Sequence, residues 1–150
     1  MATPEDDFYL KVAHALSGCQ LVEQELKLYI TQALELAKKC IGNKMPFKII
    51  GEDYANFPLG KLIDTFEKLS DNKTLVTELR DFTKKRNFLS HEGITHCLDY
   101  EGGLFYPTAF EFQIGAEAIQ RDAQRLRGAL HEEANKFNVH LDFDDLTDTG

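Results

Sequence analysis

A long run of helical periodicity constrains this chain more than any other feature. From about Glu5 to Cys40, apolar side chains recur at steps of three and four residues, which places them on one face of an α-helix. The members of this face are Phe8, Val12, Ala15, Leu16, Cys19, Val22 or Leu21, Leu26, Ile30, Ala33, Leu34 and Ala37. Ile41-Gly42-Asn43 supplies a C-terminal stop signal. The sequence therefore predicts that the chain opens with one long amphipathic helix.

The segment that follows combines turn residues with apolar ones. Between Lys44 and Phe57 it contains Pro46 and Gly51 among aromatic and branched side chains, so it is too interrupted for a helix and too apolar for a floppy linker. It is predicted to be an ordered loop packed on the core. A second helix should begin near Pro58, a residue suited to a first helical turn. Its apolar face comprises Leu59, Leu62, Ile63, Phe66 and Leu69.

The third helix is predicted to run from about Lys73 to His91, with Gly93 placed as its C-terminal stop. Its apolar face comprises Leu75, Val76, Leu79 and Phe82. From Ile94 to Ile114 the texture changes, because threonine and aromatic residues surround a turn at Glu101-Gly102-Gly103. That pattern indicates a short hairpin-like or extended insert.

A last helix is predicted from about Gly115 to Phe137, and the acidic residues 142–150 are predicted to form a frayed tail. Together these elements predict an all-α fold, a bundle of about four main helices of the up-down type with a short insert before the last helix. A chain of 150 residues normally forms one domain, and its core should lie within about residues 5–137.

The composition fits a globular protein of a reducing compartment. No stretch approaches the roughly 20 apolar residues that span a bilayer, and the N-terminus lacks the basic and apolar regions of a secretion signal. Cys19, Cys40 and Cys97 are widely spaced and odd in number, which disfavours both a disulfide framework and a structural zinc site. We therefore expect a cytoplasmic protein without a metal or other cofactor.

The net charge of −8 argues against non-specific binding along nucleic acids, which requires a surplus of lysine and arginine. Half of this excess belongs to the tail, through Asp142, Asp144, Asp145 and Asp148. Between Lys61 and His91, in contrast, there are seven basic residues and five acidic ones. A local site for a phosphate-bearing ligand therefore remains compatible with the acidic chain as a whole.

The residues with the clearest chemical potential lie in that region, in Lys84-Lys85-Arg86-Asn87-Phe88-Leu89-Ser90-His91-Glu92-Gly93. An arginine can hold a phosphate through paired hydrogen bonds, and a histidine can both donate and accept a proton near neutral pH. At about 100° per residue, Arg86 and His91 lie roughly 140° apart on an α-helix, so they converge only if the last turn loosens or Arg86 reaches around the helix. Gly93 permits such loosening.

A single helix end supplies few catalytic groups. A two-fold dimer that pairs two such ends would place two Arg86, two Asn87 and two His91 side chains around one cleft. That number of groups is enough to bind a phosphate and to divide the acid and base roles. We therefore hypothesise a homodimer formed through the helix that carries the motif.

Arg86-Asn87-Phe88-Leu89-Ser90-His91 resembles the signature of the HEPN superfamily, which has an arginine, a polar residue, three spacers and a histidine. The similarity extends to the long first helix, to the helix opening at Leu59-Gly60-Lys61-Leu62-Ile63 and to the motif's place at the end of the next helix, over about residues 5–137. The resemblance implies a helical bundle, often a homodimer, of the kind found in bacterial toxins, abortive-infection and antiviral proteins and RNA-processing nucleases.

The resemblance also implies an activity and roles for individual residues. In catalytic members, RNA is cleaved without metal by attack of the 2′-hydroxyl on the adjacent phosphate. Carried over to this chain, His91 would be the general acid or base, Arg86 would bind the phosphate and Asn87 would orient it. Lys84, Lys85 and Ser90 would contact the RNA substrate, and a cognate antitoxin or another regulatory protein would control the activity.

Other interpretations of these residues remain open. Arg86 could pair with Glu92 or with a carboxylate on a neighbouring helix, and His91 could cap terminal carbonyl groups. The chain would then be a catalytically inactive HEPN-like module that binds a partner protein or a nucleotide. Lys84 and Lys85 could be a solvated face. A further reading is a neutralising partner of another effector, whose acidic tail imitates nucleic acid.

Overall fold

In a computed structural model, which describes residues 3–93, 97–98 and 101–147, the chain is an all-α bundle. The described residues form four α-helices: α1 (Pro4–Ile41), α2 (Leu59–Leu69), α3 (Lys73–Phe88) and α4 (Tyr106–Thr147). A 3₁₀ turn (Gly51–Tyr54) precedes α2, and a π-helical turn (Leu89–Gly93) follows α3. The predicted fold class, an all-α bundle of about four main helices, is confirmed.

The long first helix has defined signals at both ends. The Thr3 Oγ1 atom accepts a hydrogen bond from the Asp6 amide at 3.1 Å, while the Thr3 amide donates to the Asp6 carboxylate at 3.2 Å. This reciprocal capping box, followed by Pro4, fixes the first turn. At the other end Gly42 adopts a φ of 58° and its amide donates to the Lys38 carbonyl. The predicted helix and its glycine stop are both confirmed.

The segment between α1 and α2 is ordered and packed, as predicted. Its aromatic side chains Phe47, Tyr54 and Phe57 are partly buried against the core, and the rings of the last two meet edge to face with centroids 4.9 Å apart. Two details of α2 differ from the prediction. Pro58 is the capping residue before the helix instead of part of its first turn, and Leu69 is exposed.

The third helix begins as predicted but ends earlier. The Asn72 side chain caps it by accepting a hydrogen bond from the Leu75 amide at 3.1 Å. The α-helical geometry stops at Phe88 and gives way to the π-helical turn instead of continuing to His91. The Ser90 hydroxyl donates to the Arg86 carbonyl at 3.0 Å, which adds a side-chain donor for a carbonyl group near the end of the helix.

The last helix is longer than predicted at both ends. Residues 106–114 are helical, so the prediction of an extended insert is wrong there, because Ala109, Ala116 and Ile119 bury a helical face in the core. Before this helix, Leu98 and Leu104 form an isolated antiparallel bridge. The remainder of the predicted insert, residues 94–96 and 99–100, lies outside the described residues.

At its C-terminal end α4 continues past Phe137 to Thr147, into the segment that was predicted to fray. The end of α1 supports it, since the Lys39 Nζ atom donates to the Leu141 carbonyl at 3.3 Å. Residues 148–150 of the acidic tail lie outside the described residues.

Contacts along the helices fix their directions. Asp7 lies against Gln113 and Lys11 against Glu117, so α1 and α4 are parallel, while α3 runs antiparallel to α4. The directions therefore depart from strict up-and-down alternation, because the segment between α1 and α2 returns along α1. A Cβ atom on Gly18 would lie 3.1 Å from the Ala123 Cβ, so this glycine permits a close approach of the two long helices.

All four helices contribute to one core. Its largest fully buried side chains include Phe8, Leu26, Phe66, Phe82, Leu126 and Leu130. In the part of the chain that the structure describes, no helix has both the length and the apolar content needed to cross a bilayer.

Candidate functional site

The predicted site lies at the end of α3 and in the π-helical turn after it. Arg86 is half-buried and faces α1, where its Nη2 atom lies 3.4 Å from the Glu23 Oε1 atom. Its Nη1 atom donates to the Asn87 Oδ1 atom at 3.2 Å. The structure thus brings Arg86 and Asn87 together and fixes the arginine between its neighbour in sequence and a carboxylate of another helix.

Asn87, Ser90 and His91 are exposed on the same end of the molecule. A π-helical turn closes hydrogen bonds between residues five apart, so it holds more residues per turn than an α-turn. The angle between Arg86 and His91 is therefore smaller than the roughly 140° of a regular helix. Within the described part of the chain, no hydrogen bond or ion pair joins the His91 side chain to Arg86 or Asn87. Asn87, Ser90 and His91 are thus all exposed, and His91 is separate from the hydrogen-bonded pair of Arg86 and Asn87.

The two lysines that precede the motif have different surroundings. The Lys85 Nζ atom lies 3.3 Å from the Asp122 Oδ2 atom, so its charge is balanced by α4. Lys84 is exposed, and no ion pair of its ammonium group occurs among the described residues. Of the two predicted substrate-binding lysines, Lys84 is therefore the one whose charge is available to an incoming anion.

A buried thiol lies close to the Arg86–Glu23 pair. Burial raises the pKa of the Cys19 thiol to about 11, the positive charge of Arg86 lowers it, and the negative charge of Glu23 raises it further. At this value the sulfur stays protonated at neutral pH and cannot act as a nucleophile. Cys19 is therefore a buried, unreactive residue near Arg86.

Glu23 is the principal residue of this site that the sequence did not identify. The sequence left two partners open for Arg86, Glu92 or a carboxylate on a neighbouring helix, and the contact with Glu23 is of the second kind. The side chain of Glu92 lies outside the described residues. A weak signal existed, since Glu23 follows the buried Val22 and so stands at the edge of the apolar face of α1. Nothing in the spacing identified which cation it would meet.

No metal centre accompanies this site in the described ranges. Groups of three or more His, Cys, Asp or Glu side chains placed to hold an ion do not occur there. Cys97 is buried, and His96, which the sequence places beside it, lies outside the described residues.

Comparisons with known proteins neither support nor refute the HEPN resemblance of the sequence. The HEPN-like pattern is carried by six residues, Arg86 to His91, and by their place at the end of a helix in an all-α bundle. No protein-family model matches the chain, and no curated protein or solved structure matches it.

Proposed function

We propose that this chain is a metal-independent RNA endonuclease of the HEPN type, with Arg86, Asn87 and His91 as its catalytic residues. The observation that carries the proposal is the π-helical turn that follows α3, in which Ser90 and His91 are exposed, next to Arg86 and the exposed Asn87 at the end of the helix. Single π-helical turns within helices occur frequently at functional sites, and this one directly continues α3. The Arg86–Asn87 hydrogen bond supports a role for these two side chains as one phosphate-binding unit.

Each residue has a defined role in the proposed reaction. The RNA 2′-oxygen attacks the adjacent phosphorus and loses its proton to a base, while the 5′-oxygen leaves and takes up a proton from an acid. His91 serves as base or acid, Arg86 stabilises the charge that develops on the phosphoryl oxygens, and Asn87 orients the phosphate. Lys84 and Ser90 contact the flanking RNA. The product carries a 2′,3′-cyclic phosphate.

The motif of one chain supplies one histidine, whereas the reaction needs a base and an acid. We therefore include a homodimer that pairs two motif-bearing helix ends in the proposal. Exposed Phe110 and Ile114 of α4 support such contacts, because large apolar side chains on a surface are typical of interaction sites. The proposed setting is a cytoplasmic toxin or antiviral, abortive-infection effector that a cognate antitoxin or regulatory protein holds in check.

One observation favours a second candidate function. The Arg86 guanidinium is tied to Glu23 on α1, and an arginine held in this way can serve to join two helices instead of binding a phosphate. The chain would then be a catalytically inactive HEPN-like module that binds a partner protein or a nucleotide. The two candidates differ in what replacement of Arg86 does, since one predicts loss of cleavage and the other predicts loss of stability alone.

The deciding experiment is digestion of total RNA and of defined transfer RNAs in EDTA, resolved on gels. His91→Ala and Arg86→Ala are compared with the unaltered chain at matched folded concentration, and His131→Ala, which removes an exposed histidine of α4 away from the motif, is the control. Cleavage by the unaltered chain and by His131→Ala, with loss in the other two variants and 2′,3′-cyclic phosphate ends, is the expected result. If neither the unaltered chain nor any variant cleaves RNA, the nuclease proposal is wrong and the catalytically inactive module becomes the proposed function.

A further inference from the structure

An apolar groove lies between the end of α3 and the first half of α4, on the side of α3 that faces Asp122. It consists of two adjoining cavities of about 270 and 410 Å³ that share Phe88, Gly115 and Ile119. Phe112 and Cys97 line its first cavity, and Lys84 lines the second. We call this feature the Phe88 groove. The proposed nuclease chemistry uses none of its apolar side chains.

Two observations indicate that the Phe88 groove is open to a ligand. Among the described residues, a Cβ atom placed on Gly115 would meet no atom within 4 Å, so none of their side chains covers this part of α4. The Phe88 side chain is 48% exposed although its ring also lies 6.2 Å from the ring of Phe112. The lining extends along α4 from Thr108 to Ile119, which corresponds to about 16 Å at the helical rise per residue. The groove is therefore apolar and long.

The charges at the rim differ between the two ends. Lys84 lines the second cavity, and no ion pair of its ammonium group occurs among the described residues, whereas the charge of the adjacent Lys85 is balanced by Asp122. Glu111 lines the opposite end, beyond Phe112. An anionic group is consequently attracted to the Lys84 end and repelled from the Glu111 end. The arrangement suits a linear apolar molecule that has one negative charge at one end.

We propose that the Phe88 groove binds a medium-chain acyl carboxylate, with its head group at Lys84 and its chain over Gly115 toward Phe112. Charge complementarity at Lys84 selects the carboxylate, and the length and apolar lining select the chain. The inference goes beyond the proposed nuclease and can fail separately from it, because acyl binding is tested without RNA, although Lys84 would contact either ligand. Since Phe88 and Leu89 line the groove and adjoin Asn87 and Ser90, a bound ligand would also lie next to the motif.

The test is isothermal titration calorimetry of the full chain with octanoate, decanoate and dodecanoate below their micelle-forming concentrations, and with decanol as the uncharged comparison. We expect affinity to rise about fourfold per added methylene until the groove is filled. Lys84→Gln should weaken decanoate about fivefold and leave decanol unchanged.

A pair of glycines in α4 provides a matched control. Gly115→Leu fills the groove and should weaken decanoate more than tenfold, whereas Gly128→Leu adds the same side chain at another position with open space and should leave binding unchanged. Circular dichroism verifies that both variants fold. Equal loss in both variants, or no binding of any chain length, would overturn the proposal. The proposal would also be wrong if a second copy of the chain fills the groove. In that case no acyl ligand binds, and light scattering shows that Gly115→Leu changes the molecular mass of the particle.

Discussion

Arg86 of α3 contacts Glu23 of α1, with 3.4 Å between the Nη2 atom of the arginine and the Oε1 atom of the glutamate. The two side chains are 30% and 19% exposed, so water screens their attraction less than it does for most surface pairs. The contact joins the end of α3 to the middle of α1 and sets the direction of the arginine that begins the motif. A residue far away in the sequence thus orients the proposed phosphate-binding group.

A double-mutant cycle on this pair should give a coupling free energy of about 1 kcal/mol. Arg86→Ala and Glu23→Ala should each lower the free energy of unfolding, and the double variant should lose less than the sum, because the second change removes a partner that is already unpaired. Urea denaturation gives the four values. The Arg125–Glu78 pair, with side chains 55% and 38% exposed, serves as the control and should show a smaller coupling. A coupling of zero for Arg86 and Glu23 would show that the contact adds no stability.

The parts of the fold that periodicity alone determines could be predicted from the sequence. The apolar face of α1 recurs over many turns, and its glycine stop has one conformation available, so both ends were found. The start of α4 was missed, because the aromatic residues between Tyr106 and Ile114 favour strands when considered locally. Burial of Ala109 against the core, which is a tertiary effect, decides that segment for the helix.

The candidate site also has features that could be predicted from the sequence and features that could not. The position of Arg86, Asn87 and His91 at the end of a helix followed from the sequence, as did one way for Arg86 and His91 to converge, a loosened last turn before Gly93. The partner of Arg86 did not, because Glu23 is 63 residues away and meets it only in the folded chain. The Phe88 groove could not be predicted either, since residues of α3 and α4 form it together.

The thiol groups should divide into one accessible and two protected cysteines. Cys40 is exposed, whereas Cys19 and Cys97 are buried, and burial raises the pKa of both buried thiols. A thiol with a pKa of about 11 is ionised in about one molecule in a thousand at pH 8. We therefore expect one rapid equivalent per chain with Ellman's reagent and three after denaturation in urea. Cys40→Ser should remove the rapid phase, and a rapid phase that persists would contradict the burial of Cys19 and Cys97.

Glu133 should make stability depend on pH in the acidic range. Burial alone raises the pKa of this carboxyl group, but hydrogen bonds from Lys136 at 2.8 Å and Asn72 at 2.9 Å outweigh burial and lower it. A carboxyl group whose pKa is lower in the folded state stabilises the fold above its unfolded pKa, and that contribution disappears as the pH falls through the folded value.

Glu133→Gln should therefore lower the free energy of unfolding by about 1 kcal/mol at pH 7 and by progressively less below the usual glutamate pKa. Urea denaturation from pH 7 to pH 3 gives this difference at each pH. Glu132→Gln, at the exposed neighbouring position, is the control and should show little change. A constant difference across the range would mean that the charge of Glu133 does not contribute.

Two glycines should respond in opposite ways to the addition of one methyl group. A Cβ atom on Gly51 would overlap the side chain of Thr31, whose hydroxyl donates to the Lys27 carbonyl at 2.8 Å. Either the 3₁₀ turn or this threonine must move, so Gly51→Ala should lower the free energy of unfolding by about 1–3 kcal/mol. Gly128 lies in α4 with open space around it. Gly128→Ala should raise the free energy of unfolding by about 0.5–1 kcal/mol, because alanine favours the helix more than glycine does. Thermal unfolding followed by circular dichroism measures both.

The cause of the Gly51 effect can be separated from a general intolerance of the turn. Thr31→Gly removes all the side-chain atoms that the new methyl group would meet, so the double variant Gly51→Ala, Thr31→Gly should recover most of the loss relative to Thr31→Gly alone. If the double variant is as unstable as the sum of the two single changes, the packing of the 3₁₀ turn against α1 is not what requires glycine at this position.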